Sequence, residues 1–269
     1  MISNRLLNRV KLPYITVKGS FAYRQSKAAN FTTKIINNLS GQIDKQCISL
    51  SKVGKLLKNL FPKNLDIFVR KNKGADSGAQ LNRMLNDNNY FIQYSIDLKT
   101  NKDGLISILD VPTIAHEIRH LSDSLFHPKF LSREQLIIKL GLDKDKYLNF
   151  YDKNIYVKEL FFCKKDKRYI IKKIKNQTTK VLRGLPAEDK VNLLQWMRYN
   201  LMSEQNAYRQ GVKTAKKLNH KNISVYEDEL YDQTKDYMFE EKIKLFTNMA
   251  HEIIKKERGI HKAKIRQAK

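Results

Sequence analysis

Cysteine is nearly absent from this chain: only Cys47 and Cys163 occur in 269 residues. Two distant thiols exclude a disulfide framework and an all-thiolate zinc site, and a reducing compartment is the simpler expectation. No run of roughly eighteen apolar residues is present, which excludes a conventional membrane-spanning helix. The start Met1-Ile2-Ser3-Asn4-Arg5 lacks the apolar stretch of a secretory signal, so a soluble, non-secreted protein is expected. There is no Pro/Gly-rich linker and no internal repeat, which favours one domain with an elaborated connection over two independent ones. Neither a zinc-finger spacing nor a phosphate-cradling G-x-x-x-x-G-K-[ST] loop occurs. Acidic residues are also scarce: 27 Asp and Glu stand against 52 Lys and Arg, a formal charge of +25. With 41% hydrophobic residues the chain can still build a core and should be globular.

Among the residues present, His116-Glu117-Ile118-Arg119-His120 carries the most chemistry. On a helix, positions i and i+4 stand one above the other, so both imidazoles of an H-E-x-x-H project from one face. A Zn²⁺ held by two such nitrogens keeps a position for water, acidifies it, and needs a neighbouring carboxylate, here Glu117, to take the proton. The pattern therefore specifies metal-assisted hydrolysis. The flanking sequence suits a helix over 111–126. Ile114, Ile118, Leu121 and Leu125 form an apolar stripe, while Thr113, His116, His120, Asp123 and His127 form another at the same spacing. Pro112 fits a first turn, and Asp110 is favourable near the positive helix end. A second H-E pair, His251-Glu252, has Lys255 where the motif needs His, and reads as an ordinary amphipathic helix.

A catalytic zinc needs a third protein ligand. His127 has the wrong spacing for the H-E-x-x-H-x-x-G-x-x-H pattern, because Asp123 and Phe126 occupy the Gly and third-His positions; a surface or supporting role suits it better. Glu204 is the stronger candidate. In the helical segment after Pro186 it falls within an apolar stripe of Leu194, Met197, Leu201, Tyr208, Gly211 and Ala215. A carboxylate on a buried face requires a metal or a cationic partner, and an Arg or Lys at the stripe's edge is the alternative.

His116-Glu117-x-x-His120-x-x-Asp123, followed on a later helix by Glu204-x-x-Ala207-Tyr208, resembles the gluzincin branch of the zincin metallopeptidases. The resemblance implies a Zn²⁺ cofactor with His116, His120 and Glu204 as ligands, Glu117 as general base, and Asp123 orienting a ligand from behind. It covers the two helices well and the preceding strands loosely. The interval from His120 to Glu204 is longer than in many members, so the residues between are expected to form an insertion.

Two strands are expected before the motif, Leu65–Arg70 and Tyr90–Ile96, with a turn at Asn86-Asp87-Asn88-Asn89. Tyr90–Ile96 is the candidate edge strand for an extended peptide substrate, its alternative being a plain core strand. The tetrahedral oxyanion of amide hydrolysis needs a donor. Tyr208, one turn beyond Glu204, is the first candidate; Tyr199, His220 and Arg119 are the others.

These readings combine into an α+β, mainly helical, zincin-like metallopeptidase with a small mixed sheet beside the motif helix. Its expected parts are a helical region over 1–62, a catalytic core over 63–220 with an insertion at about 128–185, and a helical region over 221–269 with a basic tail. Helices are expected over Ala28–Leu39, Ser49–Leu60, Ser132–Leu140, and from Met238 to Arg258, with a basic segment over Tyr169–Leu182. The expected partners are a peptide or protein substrate and an anionic surface, nucleic acid or acidic protein, drawn by the charge. Solvated lysines from an AT-rich genome also account for that charge, since aromatic residues do not punctuate the basic runs in a stacking pattern. A phage-encoded protein, cytoplasmic or resident in the virion, fits this composition. The alternative function is a virion-associated structural or interaction protein whose zinc is structural, closed by His127 or Asp123, or whose site has degenerated.

Overall fold

The computed structural model describes residues 21–61, 66–72, 79–85, 91–126, 150–155, 164–219 and 237–267. The expected helix over Ser132–Leu140 and the turn at 86–89 lie outside them, as do His127 and His220. The protein is mostly helical with small sheets, an α+β architecture. Two compact units are found: 1–129 with 206–231, and 130–205 with 232–269. The described residues 164–182, read as part of an insertion, thus belong to the same unit as the C-terminal helix.

The first unit contains α1 (Phe21–Ser40), β1 (Cys47–Ser49), α2 (Leu50–Leu60), β2 (Asp66–Asn72), β3 (Ala79–Leu85), β4 (Phe91–Lys99), β5 (Leu105–Ser107) and α3 (Val111–Phe126). It also takes the last turns of α5 (Ala187–Asn219). Ser49 caps α2, its hydroxyl accepting from the Lys52 amide at 3.3 Å, and Phe61 ends the helix just before Pro62. The motif helix α3 has the expected bounds. Its approach is set by short-range polar chemistry. Asn101 Oδ1 accepts from the amides of Asp103 and Leu105, and Gly104 takes the positive φ of 73° that closes this turn. β5 then pairs antiparallel with β1, and the Ser107 hydroxyl accepts from the Leu109 amide to start the tight turn leading into α3.

The expected stripe Ile114, Ile118, Leu121 and Leu125 is fully buried, packed with Ile35, Ile36 and Leu39 of α1, Val53 and Leu57 of α2, and Ile96 and Leu98 of β4. Truncating one such side chain, Ile118 for example, costs about 2–5 kcal/mol. Where α1 meets α3, the Thr32 and Ser122 hydroxyls lie 2.9 Å apart; Ser122 donates to the Ile118 carbonyl and Thr32 shares its one proton between Ser122 Oγ and the Ala28 carbonyl, so neither buried hydroxyl is orphaned.

The sheet corrects two expectations. Between the two anticipated strands lies a third, β3, and the order is β2-β4-β3, with β2 parallel and β3 antiparallel to β4. The described part of the segment proposed as a substrate-binding edge, 91–96, therefore belongs to the central strand, whose main chain is paired on both sides. The reason is packing: alternating Ile96 and Leu98 direct one face of β4 into the core. β3 was missed because Ala79-Gln80-Leu81-Asn82-Arg83-Met84-Leu85 contains no β-branched or aromatic residue.

The second unit is helical among its described residues. α4 (Lys164–Leu182) buries Ile170, Ile174, Thr178 and Leu182. The first part of α5 buries Leu193, Leu194, Trp196, Met197 and Leu201, and α6 (Phe239–Gln267) buries Phe239, Lys242, Phe246 and Met249. The Lys242 ammonium donates to the Ile155 carbonyl at 2.9 Å, at the end of the wide turn Tyr151–Ile155. Gly184, with φ of 86°, ends the turn after α4 before Pro186 leads into α5.

Asp110, at the entrance to α3, shows a competition of effects. Burial pushes its carboxyl above the ordinary 3.8, and the attraction of Lys99 only partly offsets this. The native state then holds that proton more tightly than the unfolded chain, so stability falls as pH rises from the unfolded value through the raised native one. Asp110→Asn should melt at a higher temperature than wild type at about pH 7, and the advantage should vanish at about pH 3. Thermal melts at both pH values check this; an equal difference at both would show that burial of the charge is not the cause.

Candidate metal centre

α3 carries its apolar stripe inward, and this fixes the rotation of the helix about its axis. His116 and His120, one turn apart on another face, are each half-buried. Their Nε2 atoms face each other at 3.0 Å, with ring centroids 4.7 Å apart and planes at 75°. The expected stripe on α5 is also found: Leu194, Met197, Leu201, Tyr208 and Ala215 are buried, and Glu204 is half-buried among them. The carboxylate of Glu204 meets the two imidazoles, and one donor atom from each of the three lies within 4.8 Å of the others. A tetrahedral ion bonded at about 2.1 Å holds its donors roughly 3.4 Å apart. The His pair is already near that separation, and side-chain adjustment of about 1 Å brings in the carboxylate. Two imidazole nitrogens and a carboxylate oxygen can thus hold a metal ion.

Tyr208 packs edge-on against His116, with ring centroids 4.6 Å apart and planes at 77°. The phenol ring is buried and limits the orientations of the imidazole. Glu117 adjoins His116 on the half-buried side of α3.

Asp123 is 1% exposed and forms an ion pair with Arg119, Oδ1 to Nη2 at 3.0 Å. Arg119 is itself buried, and the same Nη2 donates to Gln25 Oε1 at 2.5 Å. Gln25 Oε1 also accepts from Asn206 Nδ2 at 2.8 Å. One amide oxygen on α1 therefore joins the motif helix to α5, two residues beyond Glu204. These bonds commit Arg119, one of the four candidate oxyanion donors, to a supporting position instead. Gln25 and Asn206 were not anticipated. They lie 94 and 181 residues from their partners, and a lone amide on a helix carries no local pattern.

Comparison with protein-family models, curated proteins and solved structures finds no match.

Elemental analysis of purified wild type should find about one metal ion per chain, and Glu204→Ala should retain little. An unchanged content in the variant would remove Glu204 from the ligand set. Gln25→Ala should lower stability by about 1–3 kcal/mol, because it strips the acceptor from Arg119 and Asn206. It should also weaken metal binding by roughly 10–100-fold in a chelator competition. Lost stability with unchanged metal affinity would confine Gln25 to a packing role.

Proposed function

We propose that this protein is a zinc-dependent peptidase with a gluzincin-like centre. The convergence of Glu204 of α5 with His116 and His120 of α3, the helix that also carries Glu117, supports this reading. The nitrogen and oxygen donor set suits Zn²⁺, and three protein ligands leave a coordination position free, as catalytic zinc requires. A structural zinc would need a fourth ligand; among the described residues no further His, Cys, Asp or Glu joins the group. Asp123, a candidate for closing the site, is paired with Arg119.

When bound, zinc supplies Lewis acidity, polarising a substrate carbonyl and acidifying water. The chain's residues do the rest. Glu117 accepts a proton as the water oxygen bonds to the amide carbon, and returns it to the amide nitrogen as the C–N bond breaks. The Tyr208 ring holds His116 in place, and its hydroxyl is the donor assigned to the developing oxyanion. The edge strand β3, antiparallel to β4 and packed against α3, is better placed than β4 to add an extended substrate. The substrate on this reading is a peptide or unfolded protein segment.

Glu117→Gln tests the assignment most directly. It should keep the wild-type zinc content while turnover of quenched peptide substrates drops by about 10²–10⁴-fold. Turnover equal to wild type would remove Glu117 as base, and zinc content without turnover in wild type, across a broad peptide library, would favour the structural alternative.

A further inference from the structure

The largest unabsorbed feature is the outer face of α4. From Lys167 to Ala187 the chain has no acidic residue. The helix seats Ile170, Ile174, Thr178 and Leu182 inward, and Arg168, Lys172, Lys173 and Lys180 point outward in its exposed part. Two other lysines are matched, Lys167 with Glu241 at 3.3 Å and Lys175 with Glu252 at 3.9 Å. Among the described residues, no carboxylate pairs with the four outward cations. Tyr169 stands beside them with 71% of its surface exposed, the most exposed large apolar residue described. Positions 169, 172, 173, 176, 177 and 180 share one helical face over about 16 Å. Cations, a free aromatic ring and the amides of Asn176 and Gln177 are thereby presented together. This grouping is not visible in the linear sequence, where the aromatic does not recur through the basic run.

We propose that this face of α4 binds single-stranded nucleic acid. Its lysines match the charge of a phosphate backbone and gain from counterion release. Tyr169 can stack on a base whose face is open, which a duplex interior does not offer. A membrane surface fits less well, because an interfacial helix exposes a broad apolar face, whereas α4 buries Ile170 and Ile174. An acidic protein would use the lysines but leaves the exposed ring without a purpose. The proposal does not depend on the metal centre.

The test is fluorescence anisotropy of the full-length protein with a labelled oligothymidylate over a salt series. Contacts with three or four phosphates predict a slope of log affinity against log salt of about −2 to −3. The triple variant Lys172→Glu, Lys173→Glu, Lys180→Glu should weaken binding by roughly tenfold or more and flatten that slope by about 2. Tyr169→Ala should weaken it by about fivefold or more with the slope unchanged. Circular dichroism should show the fold retained, and Glu117→Gln should bind like wild type. A matched triple on α6, Lys255→Glu, Lys256→Glu, Arg258→Glu, should have a much smaller effect. The proposal fails if the α6 triple weakens binding as much as the α4 triple, since the interaction would then be general electrostatics. It also fails if Tyr169→Ala binds like wild type, or if phosphatidylserine vesicles bind through α4 while the oligonucleotide does not.

Discussion

Burying an arginine costs several kcal/mol unless its charge is matched and its donors are used, and for the buried Arg119 that requirement is met at Nη2 while Nε makes no hydrogen bond among the described residues. Asp123, one turn along α3, supplies the opposite charge, and Gln25 of α1 supplies both a side-chain and a main-chain oxygen. Gln25 in turn receives Asn206 of α5. Three helices distant in sequence are thus joined through the Gln25 amide, and removing Asp123 or Gln25 would strip the buried guanidinium of a partner. Hydrophobic contact alone tolerates sliding; directional bonds of this kind do not.

The rotational setting of α3 has a second source. The stripe Ile114, Ile118, Leu121 and Leu125 is locked into the core, and every other face of the helix follows from it. The imidazoles of His116 and His120 are therefore aimed by residues that never touch them. Glu204 is treated similarly on α5, where flanking apolar residues bury the stripe and carry the carboxylate with them. Tyr208 adds a direct restraint on His116. A metal centre built on helices inherits the precision of their packing, which loops cannot match.

Charge is distributed with less uniformity than the composition suggests. α6 begins with Glu240 and Glu241, and α5 with Glu188 and Asp189, as favours the positive end of a helix. The exposed part of α4 has no such balance after Asp166. An excess of lysine across a chain gives solubility and a general attraction to polyanions. Only its segregation onto one face, next to an exposed ring, singles out a surface with a defined partner.

Much of the candidate site was legible because it depends on local periodicity. The H-E-x-x-H spacing, the bounds of α3, the helix following Ser49 and the α5 stripe containing Glu204 are all properties of a few consecutive turns, and helical geometry translates them directly into faces. What remained hidden depends on contacts distant in sequence. β3 lacks the residue types that announce a strand and exists because β4 offers it a partner. The central position of β4 is a matter of sheet order, which no single strand encodes. Gln25 and Asn206 acquire roles only when α1, α3 and α5 meet. The sequence by itself determined which side chains could bind a metal and that each would sit on a helix face, because a helix is a local structure. The tertiary structure alone decided that His116, His120 and Glu204 come together and which buried polar groups hold them there, because convergence is set by how helices pack.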